Sequence, residues 1–572
     1  MIDVRLQDCH KVDLQPFYLC YQILPYMQKR ALLLIFILFI SVLTGNITLL
    51  GQNLSNPGYH EVTIEMDDGV KLSTDVFIPK SHKKCPAVLV RTPYGKFAEK
   101  WMGKAFGLFK IAVVIQDVRG KYKSDGEYYP FKNEREDGLR TLQWIRQQPW
   151  SNGIVSGWGA SYVGFTQWAI SDSLDFLVPL LTGANLYDLF YPDGVFSLQS
   201  AFNWGLLNAS RDQNKISADK ISNSMRILPL SAADDSTICE IPFLTDWLSH
   251  ETEDQYWKNM SYRGMTKAPV LCVAGWYDVF LKAQLADFNH LKANGNPENR
   301  MVIGPWCHGS QGLKNEYGGI RKTSDPKALF AYTVKFLKGR RKTLSSPLKD
   351  ARYNLFIMER NEYVGSESWP PAGTCNTPYY LGPDKSLTAK NPEFQGSVSY
   401  DYDPSDPLPS HGGTALGDHV GPALQNDNLD RNDQLVFETP AMEKPMILLG
   451  DISATLWFSS DVPCTGLVVC LQDVFPDGRI VNIQEGAAKI YLSGTIPQKK
   501  EVSVWATGYQ INPGHKLKVM ITSSWFPRFN RSLNGCEPLF SAATLTKAHQ
   551  TVFFGAAYPS CISLPVYAFP KK

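Results

Sequence analysis

The chain has 572 residues, too many for one hydrophobic core, so two or three domains are expected. Hydrophobic residues make up 44% and charged residues 20%, an ordinary globular balance, and a formal net charge of +2 supplies no basic surface for nucleic acid. The 14 Trp and 26 Tyr come without a basic stripe, so they suit large cores and an aromatic-lined cleft rather than a base-stacking platform.

Near the start, Lys29-Arg30 precede the apolar run Ala31 to Leu43, which Thr44-Gly45-Asn46 follow. A short basic segment before about 7–15 apolar residues is the pattern of a secretory signal peptide. Read from Met27, the basic segment has normal length, and residues 1–26 become an upstream extension. The run is short for a spanning helix, which needs ~20 residues; joined to Ile47–Leu50 it would form an uncleaved anchor through residues 31–50. No small-x-small cleavage site stands out. The expectation is export, periplasmic or extracellular, with residues 1–52 as extension plus signal peptide or membrane anchor. Of 11 cysteines, nine lie beyond this segment, scattered and without Cys-x-x-Cys, so no zinc site is indicated. An odd number leaves at least one thiol unpaired or pairing externally, and the connectivity of any disulfides stays open.

From Glu61 the pattern alternates: Val62, Ile64 and Met66, a turn at Asp67-Asp68-Gly69, then Val70, Leu72 and Thr74, a hairpin signal. Runs apolar at every position follow at 87–90, 111–115, 154–155, 176–181, 269–274 and 301–303, as in strands buried on both faces of a parallel sheet. Helical patterns lie between them, at Glu134–Gln147 and from Ser324-Asp325-Pro326 onward. Strands alternating with helices indicate a doubly wound α/β domain, here in two parts, 53–186 and 266–345. The stretch 187–265 breaks the alternation and reads as helices (Phe196–Leu207, Ser217–Ile227, Phe243–His250) forming a cap over the C-terminal sheet edge, where such sheets bind ligands. Gly194 to Leu198, with Phe202, Trp204 and Leu207, is expected to line the cleft with apolar surface. Residues 346–572, from Tyr353–Met358 onward, read as short strands between Pro/Gly/Asp turns, an all-β sandwich or jelly roll. Within it, Asn391–Asn428 is expected to be a long surface excursion.

Ser161 sits in Gly157-Trp158-Gly159-Ala160-Ser161-Tyr162-Val163-Gly164, after a short apolar strand and before an apolar helix. A serine on a tight strand-to-helix turn exposes its hydroxyl, and the helix N-terminus presents N–H groups to a developing oxyanion. A bare Gly-x-Ser is common, but a serine nucleophile also needs a base and an orienting carboxylate, each following a later strand. Asp278 leaves the strand at Pro269–Ala274 through Gly275-Trp276-Tyr277, and His308 leaves Met301–Ile303 through Gly304-Pro305-Trp306-Cys307. All three candidates fall on one sheet edge. The other histidines show no metal-ligand spacing, and His290, on a helix, is expected to face solvent. Asp117-Val118-Arg119-Gly120 is read as a loop shaped by ion pairing rather than as an anion site.

With these motifs the chain resembles the cocaine-esterase and Xaa-Pro dipeptidyl-peptidase family of serine α/β-hydrolases. The resemblance rests on Arg91-Thr92-Pro93-Tyr94, Asp117-Val118-Arg119-Gly120, Gln148-Pro149-Trp150-Ser151-Asn152-Gly153, Gly159 to Gly164, Gly275 to Asp278 and Gly304 to His308. Asp473-Val474-Phe475-Pro476-Asp477-Gly478 and Pro513-Gly514-His515 echo its C-terminal β-domain, so it covers roughly residues 55–565. It implies an α/β-hydrolase domain with an inserted helical cap and a C-terminal jelly roll. It also implies Ser161 as nucleophile, His308 as general base and then acid, Asp278 as orienting carboxylate, and an oxyanion hole made by the Tyr94 hydroxyl and the Tyr162 backbone N–H. No cofactor or metal is implied, and the partner is a small-molecule ester or amide. Family members that bind a substrate amine carry acids just after the catalytic Asp; here Val279, Phe280 and Leu281 stand there. Asp188 and Asp193, near the cap entrance, are the remaining carboxylates for that task, though a turn or cap role suits them as well. The leading expectation is therefore an exported carboxylesterase-like acyl hydrolase; the alternative is a dipeptidyl-peptidase or acylase using the same triad. A catalytically dead binding protein would require a broken triad.

Overall fold

A computed structural model describes residues 58–569 except 81–82, 294, 309–325, 340–347, 391 and 418–419. The expected signal or anchor (31–50), the Ser324-Asp325 helix start and His419 lie outside the described residues. The alternating segment forms an antiparallel hairpin of β1 (Gly58–Glu65) and β2 (Lys71–Ile78). Its turn needs Gly69, whose φ is +84°. The apolar runs become β3 (Cys85–Thr92), β4 (Ala112–Asp117), β5 (Ser151–Ala160), β6 (Phe176–Leu180), β7 (Leu271–Tyr277) and β8 (Arg300–Cys307). These six are mutually parallel in the order β4-β3-β5-β6-β7-β8, with β2 antiparallel beside β4. Every residue of β4 and β7 is buried, which explains their lack of alternation.

Helices cross over between these strands: α1 (Trp101–Gly107), α2 (Glu134–Gln147) and α3 (Tyr162–Ala169). The first turn of α2 holds Glu134, Glu136 and Asp137 and its last turn Arg146, both favourable to the helix dipole. It buries Leu142 and Ile145 and stops at Gln148, which is extended because Pro149 follows. The cap comprises α4 (Tyr187–Phe190), α5 (Leu198–Asn208), α6 (Ala218–Ser224), α7 (Pro242–Ser249) and α8 (Gln255–Lys258). Between β7 and β8 lies α9 (Leu281–Ala293), and α10 (Pro326–Leu337) follows β8.

The sheet does not end at the expected boundary after residue 345. Tyr353–Ile357 forms β9, parallel to β8 through Met301↔Tyr353, and Glu362–Ser366 forms β10, antiparallel to β9. These segments therefore complete a 10-stranded sheet instead of opening the β-domain. The correction has a packing reason: all five residues of β9 are buried, and as an inner strand between β8 and β10 it has both of its edges paired.

The C-terminal strands are β11 (Thr374–Leu381), β12 (Leu387–Thr388), β13 (Gln395–Tyr402), β14 (Gln434–Glu438), β15 (Met446–Ser460), β16 (Cys464–Val474), β17 (Ile480–Tyr491), β18 (Gln498–Ile511), β19 (Lys516–Thr522), β20 (Ala548–Gly555) and β21 (Cys561–Tyr567). They form a seven-stranded and a four-stranded sheet, β12-β11-β21-β15-β20-β13 with β18 on β15, and β14-β19-β16-β17. Cys464 and Cys536 form a disulfide across 72 residues of sequence.

The described residues of 391–428 do not form a surface excursion. They include β13, and Gly412, Gly413, Thr414 and Ala415 among them are buried between the cap and β17. Thr414 donates from its backbone N (2.7 Å) and Oγ1 (2.8 Å) to Glu485 Oε1. Leu416 N donates to Ser200 Oγ at 3.2 Å, and Asn203 Nδ2 donates to Leu416 O at 3.3 Å, tying the loop to α5. Pro, Gly and Asp signal turns, and burial of such turns is tolerated here because their backbone groups find partners.

Candidate active site

The Ser161 turn is built by close packing. Ser161 has φ +59° and ψ −129°, a region non-glycine residues rarely occupy, at the junction of β5 and α3. At Gly159 a Cβ would lie 2.2 Å from Val163 Cγ1, and at Gly164 it would lie 2.4 Å from Thr182 Cγ2. Only glycine lets the strand, helix and following segment close this tightly. Ser161 N donates to Leu180 O at 3.0 Å, and Thr182 Oγ1 donates to Ser161 O at 2.8 Å, so β6 and the residues after it brace the turn.

Asp278 follows β7 and His308 follows β8. A register shift between Gly275 and Tyr277 places Cys307 opposite Tyr277, so the next residues, Asp278 and His308, emerge side by side. His308 Nδ1 lies 2.8 Å from Asp278 Oδ2, and Nε2 lies 3.0 Å from Ser161 Oγ. The fully buried Asp278 also accepts from Phe280 N at 2.8 Å, which fixes its second oxygen. Such a chain can draw the serine proton onto Nε2 while the carboxylate holds the imidazole's tautomer. The β-domain supports the acid: Tyr277 Oη donates to Asn482 O at 3.0 Å, and Gln484 Nε2 donates to Trp276 O at 3.1 Å. Gly421, a few residues beyond Thr414, packs near Cys307, so this segment also backs the histidine strand.

Tyr94 stands two residues past β3 and holds its turn by donating N–H to Thr92 Oγ1 at 3.1 Å. Its hydroxyl lies 3.5 Å from Ser161 Oγ and accepts from Trp204 Nε1 at 3.0 Å. Burial pushes the phenol up from its ordinary range, so it keeps its proton at neutral pH. The Tyr162 side chain turns the other way. Its Oη donates to Glu134 Oε1 at 2.6 Å and accepts from Phe131 N at 2.8 Å. Glu134 Oε2 pairs with Arg91 NH1 at 2.8 Å, and Arg91 Nε donates to Gln116 Oε1 at 3.0 Å. Sequence reasoning missed Glu134, and the Arg91-Thr92-Pro93-Tyr94 motif was the one signal for Arg91. The pair braces both segments that carry the candidate oxyanion donors.

Other singled-out residues lie elsewhere. Asp188 is held by Arg263, which also pairs with Asp287 at 2.7 Å, and Asp193 is held by Lys282. Phe196, Leu198 and Phe202 are at most 2% exposed and belong to the core, not to a cleft wall; among the expected lining residues, Trp204 is the one with a hydrogen bond to the site. A cavity of about 80 Å³ does touch Gly194, Val195 and Phe196, but it lies between the cap and the β-domain, apart from the triad. Arg119 bonds Asp68 and Asp137, both at 2.6 Å, shaping its loop, and His290 is exposed. His515 and Asp473 form a buried pair at 2.9 Å with Tyr509 as a second donor, a brace within the β-domain.

Residues 68–310 match the X-Pro dipeptidyl-peptidase (S15 family), and residues 349–563 match the X-Pro dipeptidyl-peptidase C-terminal non-catalytic domain. The chain is 31% identical to a cocaine esterase of Rhodococcus sp. (strain MB1 Bresler), an alignment covering 88% of this chain and 98% of that one. Among solved structures, it resembles an aminopeptidase from a marine sediment Thaumarchaeota archaeon (TM-score 0.78, 22% identity, 90% of this chain and 97% of that one). It also resembles an α-amino acid ester hydrolase (TM-score 0.76, 22% identity, 90% and 97%). At these identities the structural likeness establishes the fold: an α/β-hydrolase domain joined to an all-β domain. The cocaine-esterase identity, extending over nearly the whole of both chains, establishes more: this chain belongs to the cocaine-esterase and X-Pro dipeptidyl-peptidase family and is a serine hydrolase.

Proposed function

We propose that the protein hydrolyses esters of neutral acyl groups through an acyl-enzyme. Ser161 Oγ attacks the carbonyl as His308 Nε2 takes its proton. The Tyr94 hydroxyl and the Tyr162 N–H stabilise the oxyanion, and the same histidine returns the proton to the leaving alcohol. Water then repeats the sequence on the acyl-serine and frees the enzyme.

The observation that carries the preference for esters is the fate of the carboxylates considered for amine recognition. Asp188 and Asp193 are committed to Arg263 and Lys282, and the three residues after Asp278 are the buried apolar Val279, Phe280 and Leu281. An ammonium-bearing substrate would find these acids already neutralised. The 31% identity to a cocaine esterase supports the same reading. Export is part of it, supported by the basic-then-apolar pattern at residues 29–43 and by the Cys464–Cys536 disulfide, which belongs to oxidising compartments.

The test is parallel hydrolysis of a short-chain nitrophenyl ester and a Gly-Pro nitroanilide by the full chain. Ester turnover with little anilide cleavage is expected; faster anilide cleavage would make the protein a peptidase. Tyr94→Phe is expected to lower turnover about 10²–10³-fold, the usual effect of losing one oxyanion donor. Circular dichroism should be unchanged, and normal kinetics in this variant would return Tyr94 to a packing role.

A further inference from the structure

Trp204 lies on the cap helix, yet it touches both residues assigned to the oxyanion hole. Its Nε1 donates to the Tyr94 hydroxyl oxygen at 3.0 Å. Its ring stacks on that of Tyr162, with centroids 5.9 Å apart and planes 11° apart, and on Phe131 at 5.5 Å and 25°. A phenol has one hydrogen to donate, and an indole N–H can only donate. With the indole on the phenol oxygen, the Tyr94 hydrogen must point away from Trp204. The nearest acceptor on its other side is Ser161 Oγ, 3.5 Å away, beside the place where a substrate oxyanion would form.

The helix that carries this indole is clamped at both ends by other parts of the protein. At its start, the buried Arg528 of the β-domain donates from NH1 to Ser197 Oγ at 3.1 Å, and the 414–416 loop bonds Ser200 and Asn203. At its end, the fully buried Lys121 of the α/β domain donates to Asn208 O at 3.0 Å and to Ser210 O. Asn208 Nδ2 in turn donates to Trp204 O at 2.8 Å. A residue that served only to fill the cap would not need its N–H placed from both domains.

We propose that Trp204 is a positioning residue for catalysis: its indole N–H occupies the Tyr94 oxygen and so aims the phenolic hydrogen at the oxyanion. This rests on Tyr94 being an oxyanion donor. The cap then contributes to turnover directly, and its docking onto the β-domain becomes a requirement for a correctly aimed donor.

The test is a double-mutant cycle with Trp204→Phe and Tyr94→Phe, measuring kcat and KM on the nitrophenyl ester. Phenylalanine keeps an aromatic ring and removes the N–H. Trp204→Phe should lower kcat about tenfold, the worth of one neutral hydrogen bond, with KM changed less than about twofold. In the Tyr94→Phe background the same change should cost nothing further, because no phenol remains to be aimed. Equal losses in both backgrounds would make Trp204 a packing residue and overturn the proposal, as would an unchanged kcat in Trp204→Phe alone. If instead Tyr94→Phe is itself fully active, the oxyanion assignment has failed. Incorporation of 3-benzothienylalanine at position 204 keeps the indole's shape without its donor. It should reproduce the tenfold loss, and full activity in that variant overturns the proposal even if Trp204→Phe folds poorly.

Discussion

Ser161→Ala is expected to lower turnover about 10⁶-fold, the loss seen when a triad nucleophile is removed. The substitution deletes one oxygen whose hydrogen bonds are to His308 and Tyr94. The backbone bonds that hold the turn, from Ser161 N to Leu180 O and from Thr182 Oγ1 to Ser161 O, do not involve that atom. The folded state should therefore persist, with an unchanged circular dichroism spectrum, and the loss should fall on kcat. Residual hydrolysis above water would come from the oxyanion donors alone. A variant that kept more than a few per cent of its turnover would place the nucleophile elsewhere.

Asp278→Asn should come next, at about 10⁴-fold. Asparagine is nearly isosteric, and its carbonyl oxygen can still accept the Phe280 N–H that Asp278 Oδ1 accepts at 2.8 Å. That leaves the amide NH₂ facing His308 Nδ1, where the carboxylate now accepts at 2.8 Å. The imidazole must then carry its proton on Nε2, the atom 3.0 Å from Ser161 Oγ, and it can no longer take the serine proton. Because the change removes a buried charge without leaving a partner cation unpaired, thermal stability should move little. Steady-state turnover with a parallel melting curve checks both halves, and near-normal kcat would remove Asp278 from the triad.

The catalytic edge was legible because its strands advertise themselves. The runs at 87–90, 269–274 and 301–303 are apolar at every position, as strands covered on both faces must be, and Tyr94, Asp278 and His308 follow them in turn, while Ser161 follows the shorter run at 154–155. Strand identity was readable; strand partnership was not. Tyr353–Ile357 is apolar but for Asn354, yet nothing local says that its neighbour is Met301–Ile303 rather than a strand of the β-domain. Within 391–428 the turn residues were legible but the strand Gln395–Tyr402 was not, and burial of Thr414 depends on Glu485, some 70 residues on, accepting from it. Phe196, Leu198 and Phe202 show a third limit. An apolar helix face fits a cleft wall and a core equally well, and only tertiary packing separates them.

The late closure of the α/β sheet has a consequence for biosynthesis. Until the ribosome has delivered residues 353–366, the strand Arg300–Cys307 is an edge with its outer backbone groups unpaired, and His308 hangs from its end. Apolar edges of this kind template association with other chains. A nascent or truncated polypeptide stopping near residue 345 would carry every triad side chain and still lack the strand that seals the sheet beside them. Synthesis must therefore run past the last triad residue by more than fifty positions before the hydrolase layer can finish folding.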